Sequence, residues 1–275
     1  MGNYQNDLKT ANAFAKSWNK LPEGSVYTKN QLEDWMRPLE ELDFKGKRIL
    51  ELGCGNASLM MHVAKWNPEY IEGVDLGKSV ISARKNMGKL KFNKWMIKQT
   101  DMIKYKSRGF DIVYCVGVLH HLKEPKLGFD AVIRNVKRGG LFHCWVYGKE
   151  GNGFVIYFID PIRKIVSGLP WWIIKYVIAT PLAIPFYIYA NSLSRLTFIK
   201  LIKKLPLYRY CLWISKQDFA FFRHVAFDQL VAPQTSYFDR QTIESWMLND
   251  SRIDRNSIYL ISRNANSWKF GGKVL

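Results

Sequence analysis

The run KRILELGCG (47–55) limits the possible folds more than any other stretch of this chain. It is short, β-branched and leucine-rich, and it ends on glycines ahead of a helical pattern over 56–66. The same order recurs downstream. EYIEGVDL (69–76) leads into a helix over 78–87, KFNKWMIKQTD (91–101) follows, and GFDIVYCVGVLHHL (109–122) precedes a helix from about 126 to 137. KRGGLFHCWVYG (137–148) reads as a fifth strand behind a Gly-Gly turn, and NQLEDWMRPLEE (30–41) as a helix leading into the first. Strands separated by helices at this pitch predict βαβ units on a mostly parallel sheet, an open α/β fold.

Ligands of such sheets bind at the carboxyl ends of the strands. The unusual residues fall there. Glu51, Gly53 and Gly55 close strand one, Asp75 closes strand two, Asp101 follows strand three, and Cys115 to His121 follow strand four. Each alone has a plain structural reading, since glycines make turns, Asp caps helices and paired histidines sit at surfaces. Their convergence on one rim points to a ligand. A Gly-x-Gly turn lets backbone approach that ligand where a side chain would collide. Asp75, 24 positions after Glu51, stands on the neighbouring strand, placed to accept from ribose hydroxyls. Nicotinamide and flavin enzymes use similar turns, but the full G-x-G-x-x-G is missing because Ser58 holds its last position. Glu51 is also a poor neighbour for a pyrophosphate and a sensible one for a cationic or amine-bearing ligand.

The segments ILELGCGNAS (49–58), EGVDLGKSV (72–80), QTDMIKY (99–105), FDIVYCVGVLHHLKEP (110–125) and VKRGGLFH (136–143) resemble, as a set and in order, class I S-adenosylmethionine-dependent methyltransferases. The resemblance covers about residues 45–148. It implies a Rossmann-like, seven-stranded sheet with helices on both faces and an antiparallel last strand, for which the pieces RIDR and NSIYLISR (252–263) are available. Carried over by position, it implies that Glu51 and the backbone of Gly53 and Gly55 hold the methionine end of S-adenosylmethionine. Asp75 would bind the ribose and Leu76 would lie against adenine. Asp101 would accept from the adenine amino group beside Met102, and Val116 and Gly117 would line the cofactor. Ala57 stands where the family often has a third glycine, which predicts a modest loss of room. Gly77 replaces a usual Ser and removes one possible helix cap. Methyl transfer by in-line displacement needs little beyond positioning, with a base where the acceptor is a hydroxyl. His120 and His121 lie where an acceptor arrives, whereas His143, inside strand five, reads as structural.

The sheet does not explain the stretch between strand five and the terminal strands. FVIYFIDPIRKIVSGLPWWIIKYVIATPLAIPFYIYA (154–190) precedes a basic piece, TFIKLIKKLPLYRY (197–210). Residues 176–194 form a 19-residue run without charge, nearly long enough to cross a bilayer, but Pro181 and Pro185 divide it. A lone crossing would also strand the last strands on the far side. Three readings remain open: a paired re-entrant arrangement that avoids this, a compact helical cap, and a lid that lies on the membrane and receives a lipophilic acceptor. Between 151 and 215 eight basic residues face one acid, Asp160, so much of the formal charge of +18 travels with the most apolar text. That mixture favours an anionic membrane surface over nucleic acid. Beyond it, HVAFDQLVAPQTSYFDRQTIESWM (224–247) resembles the segment that leads over the active site in small-molecule methyltransferases, which makes His224 a candidate base and Arg223, Asp228 and Tyr237 candidate acceptor contacts. The same resemblance implies that the amphipathic leading segment crosses the cofactor cleft, where Trp18, Tyr27 or Gln31 would reach the methionine end or the acceptor; otherwise it is a cover for the sheet's edge.

These readings divide the chain into a helical cover (1–46), the cofactor-binding core (47–150), the insertion (151–222) and a C-terminal completion of the core (223–275). Four cysteines at irregular spacing suit neither a zinc site nor a disulfide scaffold, and no metal is expected. With polar residues at 1–20 arguing against a secretory signal, the expected location is cytoplasmic, peripheral on the inner face of the membrane. The expected acceptor is a small or lipid-linked molecule, methylated at oxygen because candidate bases are present, although a carbon acceptor on a quinone-like ring would need the same elements. An RNA methyltransferase and a non-catalytic membrane-associated scaffold are the competing readings. The first lacks an RNA-binding appendage, and the second gives no reason to keep Glu51 and Asp75.

Overall fold

The computed structural model describes residues 2–18, 28–107 and 109–275. Three helices come first, α1 (Gly2–Trp18), α2 (Lys29–Met36) and α3 (Glu41–Phe44). Thr28 begins α2 with a capping box: its hydroxyl accepts from the Gln31 N–H, and Gln31 Oε1 accepts from the Thr28 N–H at 2.7 Å. That use of Gln31 is structural. Strand and helix then alternate through β1 (Arg48–Leu52), α4 (Ser58–Val63), β2 (Tyr70–Asp75), α5 (Val80–Met87), β3 (Trp95–Gln99), β4 (Phe110–Val116), α6 (Pro125–Asn135) and β5 (Val136–Tyr147). β1 pairs in parallel with β2 and β4, β2 with β3, and β4 with β5, so five carboxyl ends share one rim.

Alternation along these strands explains the two cores. Leu50 and Leu52, Val113 and Cys115, and Phe142, Cys144 and Val146 pack one face against Phe129 and Val132 of α6. Ile49, Ile71, Ile112 and Tyr114 turn the other way, against Leu32 and Trp35 of α2 and Val80 and Ala83 of α5. A parallel strand covered on both faces is apolar on both, which is why β1 reads as a continuous run.

Strand five starts earlier than the sequence suggests. α6 ends at Asn135 and β5 begins at Val136, with a register shift against β4 between Phe110 and Ile112. The Gly139-Gly140 pair is therefore an irregularity inside the strand, not a turn before it. Gly139 has φ +78°, and a Cβ on Gly140 would lie 2.7 Å from the Asp111 carbonyl oxygen.

After Tyr147 the chain enters a second compact unit, Gly148–Thr235 with Ser262–Ser267; the first comprises Met1–Tyr147, Ser236–Ile261 and Trp268–Leu275. Residues 223–235, read from sequence with the core, thus belong to the second unit. It holds α7 (Asp160–Val166), α8 (Thr180–Arg195), α9 (Tyr208–Ile214) and α10 (Phe219–Val231). Wide, π-type turns at Val155–Ile159 and Ile173–Ala179 lead into α7 and α8. Pro181 and Pro185 do not divide the run after all, for the helix stays continuous from Ile173 to Arg195. At the junction the Lys175 carbonyl accepts from both the Thr180 N–H and, at 2.8 Å, the Thr180 hydroxyl. Ala183, Ala190, Leu193, Cys211, Ile214 and Phe222 form this unit's core.

The chain returns through α11 (Arg240–Leu248), capped by the Asp239 carboxylate on the Thr242 N–H at 2.8 Å, to β6 (Tyr259–Arg263) and β7 (Ser267–Lys273). The sheet order is β3-β2-β1-β4-β5-β7-β6. Gly139 and Gly140 bond with Val274, while Phe142 lies beside Gly271 and Gly272, so β7 runs opposite to β5. RIDR forms no strand. Ile253 makes one isolated bridge to Val274, and SWKFGGK (267–273) supplies β7 instead.

Candidate active site

The turn after β1 is built from left-handed residues: Gly53 at φ +81°, Gly55 at +53° and Ala57 at +63°. The Gly53 and Cys54 N–H groups both donate to the Val74 carbonyl, at 2.7 and 3.0 Å, tying the turn to the end of β2. A Cβ on Gly53 would fall 2.2 Å from Val118 Cγ2, so only glycine lets the turn pass beneath the residue that follows β4. At Ala57 the cost of departing from glycine lies in the backbone as well as in room, about 1 kcal/mol for the left-handed conformation.

Two carboxylates flank this turn. Glu51 is 2 % exposed and accepts from the Tyr114 hydroxyl at 2.9 Å. Burial pushes its pKa well above the ordinary value; the Tyr114 bond opposes the shift and the charge of Asp75 adds to it. Asp75 is raised too, by burial first, against the N–H groups of Gly77 (2.8 Å) and Gly55 (2.9 Å) and the Ser79 hydroxyl (2.9 Å). Ser79 thus serves Asp75 despite the glycine at 77. The glycine has its own reason: a Cβ there would stand 2.8 Å from the Ala11 carbonyl oxygen of α1.

The structure sets the remaining expected cofactor residues along the same rim. Leu76 follows β2 and takes Gln99 Nε2 on its carbonyl at 3.4 Å. Asp101 follows β3 and accepts from the Ile103 N–H at 2.8 Å beside the buried Met102. Val116 ends β4, and Gly117, at φ +79°, donates its N–H to the Trp145 carbonyl at 3.1 Å.

Aromatic rings crowd the ends of β4 and β5. His120 is fully buried, stacked on Tyr147 at 4.0 Å between centroids and 4.2 Å from the ring of His121. The half-buried His121 meets Phe14 of α1 at 5.0 Å, and Tyr237 stacks on Tyr147 at 6.0 Å. The segment carrying Tyr237 is fastened across the rim, Ser236 N–H to the His120 carbonyl at 2.7 Å and Phe238 N–H to the Tyr147 carbonyl at 3.1 Å. Helix α1 crosses the same rim: besides Gly77, it reaches Lys123, whose N–H donates to Asp7 at 2.9 Å. Tyr147 was missed in the sequence. Its signal was the period-two set His143, Trp145 and Tyr147, which shares one face of β5 and ends at the rim.

Arg223, His224 and Asp228 lie on α10 of the second unit. His224 Nε2 is 3.1 Å from Asp228 Oδ2, and the Arg223 guanidinium is 5.8 Å from the Tyr176 ring centre. Burial lowers the pKa of His224, but the charge of Asp228 and its hydrogen bond outweigh it, and the net shift is upward. Tyr27 and the side chain of Trp18 lie outside the described residues.

His143 is fully buried, with Nδ1 2.7 Å from the Tyr259 hydroxyl and Nε2 2.8 Å from the Trp35 carbonyl. Burial depresses its pKa to about 4. The unfolded imidazole protonates near 6.5, so this site's contribution is complete above that pH and is lost as pH falls toward 4. Chemical denaturation at pH 7 and at pH 4.5 is expected to differ by on the order of 2–3 kcal/mol from this site, and the difference should vanish in His143→Phe.

Residues 50–142 match the family described as Methyltransf_12, methyltransferase domain. The ubiquinone biosynthesis O-methyltransferase of Neisseria meningitidis serogroup C is 25% identical over 119 residues, 41% of this chain and 49% of the relative. That of Coxiella burnetii is 28% identical over 104 residues, 37% and 44%. The chain thus spans about half the length of these relatives. Among solved structures, magnesium protoporphyrin IX methyltransferase from Synechocystis PCC 6803, with bound SAH, superposes with a TM-score of 0.51 at 12% identity, covering 92% of this chain and 84% of that one. An O-methyltransferase family protein from Burkholderia thailandensis gives 0.53 at 9% identity over 90% and 56%. Over residues 50–142 the α/β core of this chain thus matches a methyltransferase domain, and its fold is the one that S-adenosylmethionine-dependent methyltransferases share.

Proposed function

We propose that the protein methylates an oxygen atom of a small or lipid-linked acceptor, drawing on S-adenosylmethionine at the rim of β1 to β4. The observation that carries this reading is the pair of carboxylates, Glu51 and Asp75, raised together by burial at adjacent strand ends. Two acids kept at such cost suit a ligand with a cationic head and donating hydroxyls, and the glycine turn between them supplies the close backbone approach. Glu51 would receive the amino group. Asp75, with three of about four acceptor sites already filled, offers the last on Oδ2, and the Ser79 hydroxyl can rotate away to free another. Leu76, Asp101, Met102, Val116 and Gly117 would border the adenine and ribose. When bound, the cofactor supplies an electrophilic methyl on a sulfonium; the protein's share is to orient, exclude water and accept a proton.

The free-state pKa of Glu51 gives a test separate from turnover. A cationic ligand favours its carboxylate, so binding releases a proton and affinity rises with pH until the free enzyme has lost that proton. Calorimetry in buffers of different ionisation enthalpy should report the release in wild type and not in Glu51→Gln. A pH-independent affinity in wild type would remove Glu51 from the site.

For the proton acceptor we assign His121, because His120 is sealed within the aromatic cluster. His121→Gln is expected to lower kcat by about 10²–10⁴ and to erase the acidic limb of the pH profile, with cofactor affinity unchanged. His120→Gln should cost stability instead. Oxygen as the acceptor atom is favoured by the relatives named as O-methyltransferases of ubiquinone biosynthesis. A lipophilic acceptor at the cytoplasmic face of a membrane is favoured by the apolar and basic second unit. Transfer of labelled methyl groups into the lipid fraction of cell extracts tests both, and label confined to RNA would displace this reading.

A further inference from the structure

Fifteen of the twenty-two large apolar residues that stand exposed among the described residues fall between Phe154 and Leu205. They are not scattered. On α8 and its leading turns, Val177, Pro181, Ile184 and Ile188 recur at spacings of 4, 3 and 4 on one outward face, while Ala183, Ala190 and Leu193 fill the unit's core from the other. Phe154, Phe158, Pro161 and Ile165 repeat those spacings into α7, with Ile165 80 % exposed. These helices are apolar on both sides, although a soluble helix turns its polar face outward. An outward stripe of this kind marks an interaction surface.

Between α8 and α9 the chain makes an exposed hook. Phe198 and Leu201 are 77 % and 71 % exposed, and they alternate with the exposed Lys200, Lys203 and Lys204. Charge selects the occupant. Residues 148–235 carry eleven basic and four acidic side chains, so a second copy of this chain would bring like charges together, whereas an anionic surface would neutralise them. The helix Ile173–Arg195 is long and apolar enough to cross a bilayer. A lone crossing is incompatible with the sheet, because β7, after this helix in the chain, bonds to β5, before it. An in-plane arrangement keeps the sheet whole.

We propose that this surface docks on an anionic lipid bilayer, with Phe198 and Leu201 entering the acyl boundary and Lys200, Lys203 and Lys204 against the headgroups. The purpose of the docking rests on the membrane-supplied acceptor proposed above, but its measurement does not. The full chain is floated with phosphatidylcholine vesicles, with and without phosphatidylglycerol, and cofactor binding is followed separately by calorimetry. Flotation should require phosphatidylglycerol and weaken as salt rises. F198D/L201D should abolish it, and K200Q/K203Q/K204Q should weaken partitioning by roughly a hundredfold. Both variants keep wild-type affinity for S-adenosylmethionine. A chain that floats with neither vesicle overturns the proposal, as does RNA binding in its place, or a discrete dimer that I184D/I188D dissolves. Lost cofactor binding with flotation intact would instead count against the catalytic reading alone.

Discussion

Asp75→Ala is expected to weaken S-adenosylmethionine binding by about 3 kcal/mol, roughly 150-fold, and to lower the melting temperature of the free protein as well. The double effect follows from the partners of Asp75. Its carboxylate accepts from the N–H groups of Gly55 and Gly77 and from the Ser79 hydroxyl, so it organises the loop it would present to the ribose. Truncation leaves two backbone donors and a hydroxyl to find water. Asp75→Asn should recover only part of the loss, because its amide keeps one acceptor oxygen and turns a donor toward one of the N–H groups. Calorimetric titration and thermal melts of the three proteins separate the two effects. Wild-type affinity in Asp75→Ala would show that the ribose does not lie at the end of β2.

Gly53→Ala is expected to destabilise the fold by roughly 3 kcal/mol, the sum of a left-handed alanine and an overpacked contact. The added Cβ would fall within the Val118 side chain, 2.2 Å from Cγ2, at a backbone angle of +81°. For a protein of this size the melting temperature should drop on the order of 10 °C. Val118→Ala in the same chain should return the contact part and leave the conformational part, a non-additivity of at least 1 kcal/mol. Two independent, additive losses would mean that Gly53 and Val118 do not share the rim.

The rim was legible because its chemistry sits in single residues at strand ends. Glu51, Gly53, Gly55, Asp75 and Asp101 occupy the expected places, since a breaker after a short apolar run fixes both the strand and its end. What was not legible depended on partners far away in the chain. The last hairpin turns on Asn264 and Ala265, at φ +53° and +56°, where alanine hides a turn that glycine would have advertised. The early start of β5 is set by its register against β4, which no local pattern records. Gly77 read as a lost helix cap because the reason for it, the backbone of α1, lies 66 positions upstream.

Strand β5 finds its outer neighbour, β7, only after a long excursion: 120 positions separate Tyr147 from Ser267. On the ribosome, five strands emerge and pair while the flank of β5 stands bare, until the whole second unit has been translated. A nascent chain translated past Arg195 but not yet to Ser267 therefore displays an open β-edge together with an apolar helix, the two features that holdase chaperones bind. Synthesis of this protein is expected to depend on such help more than its compact α/β core alone would require.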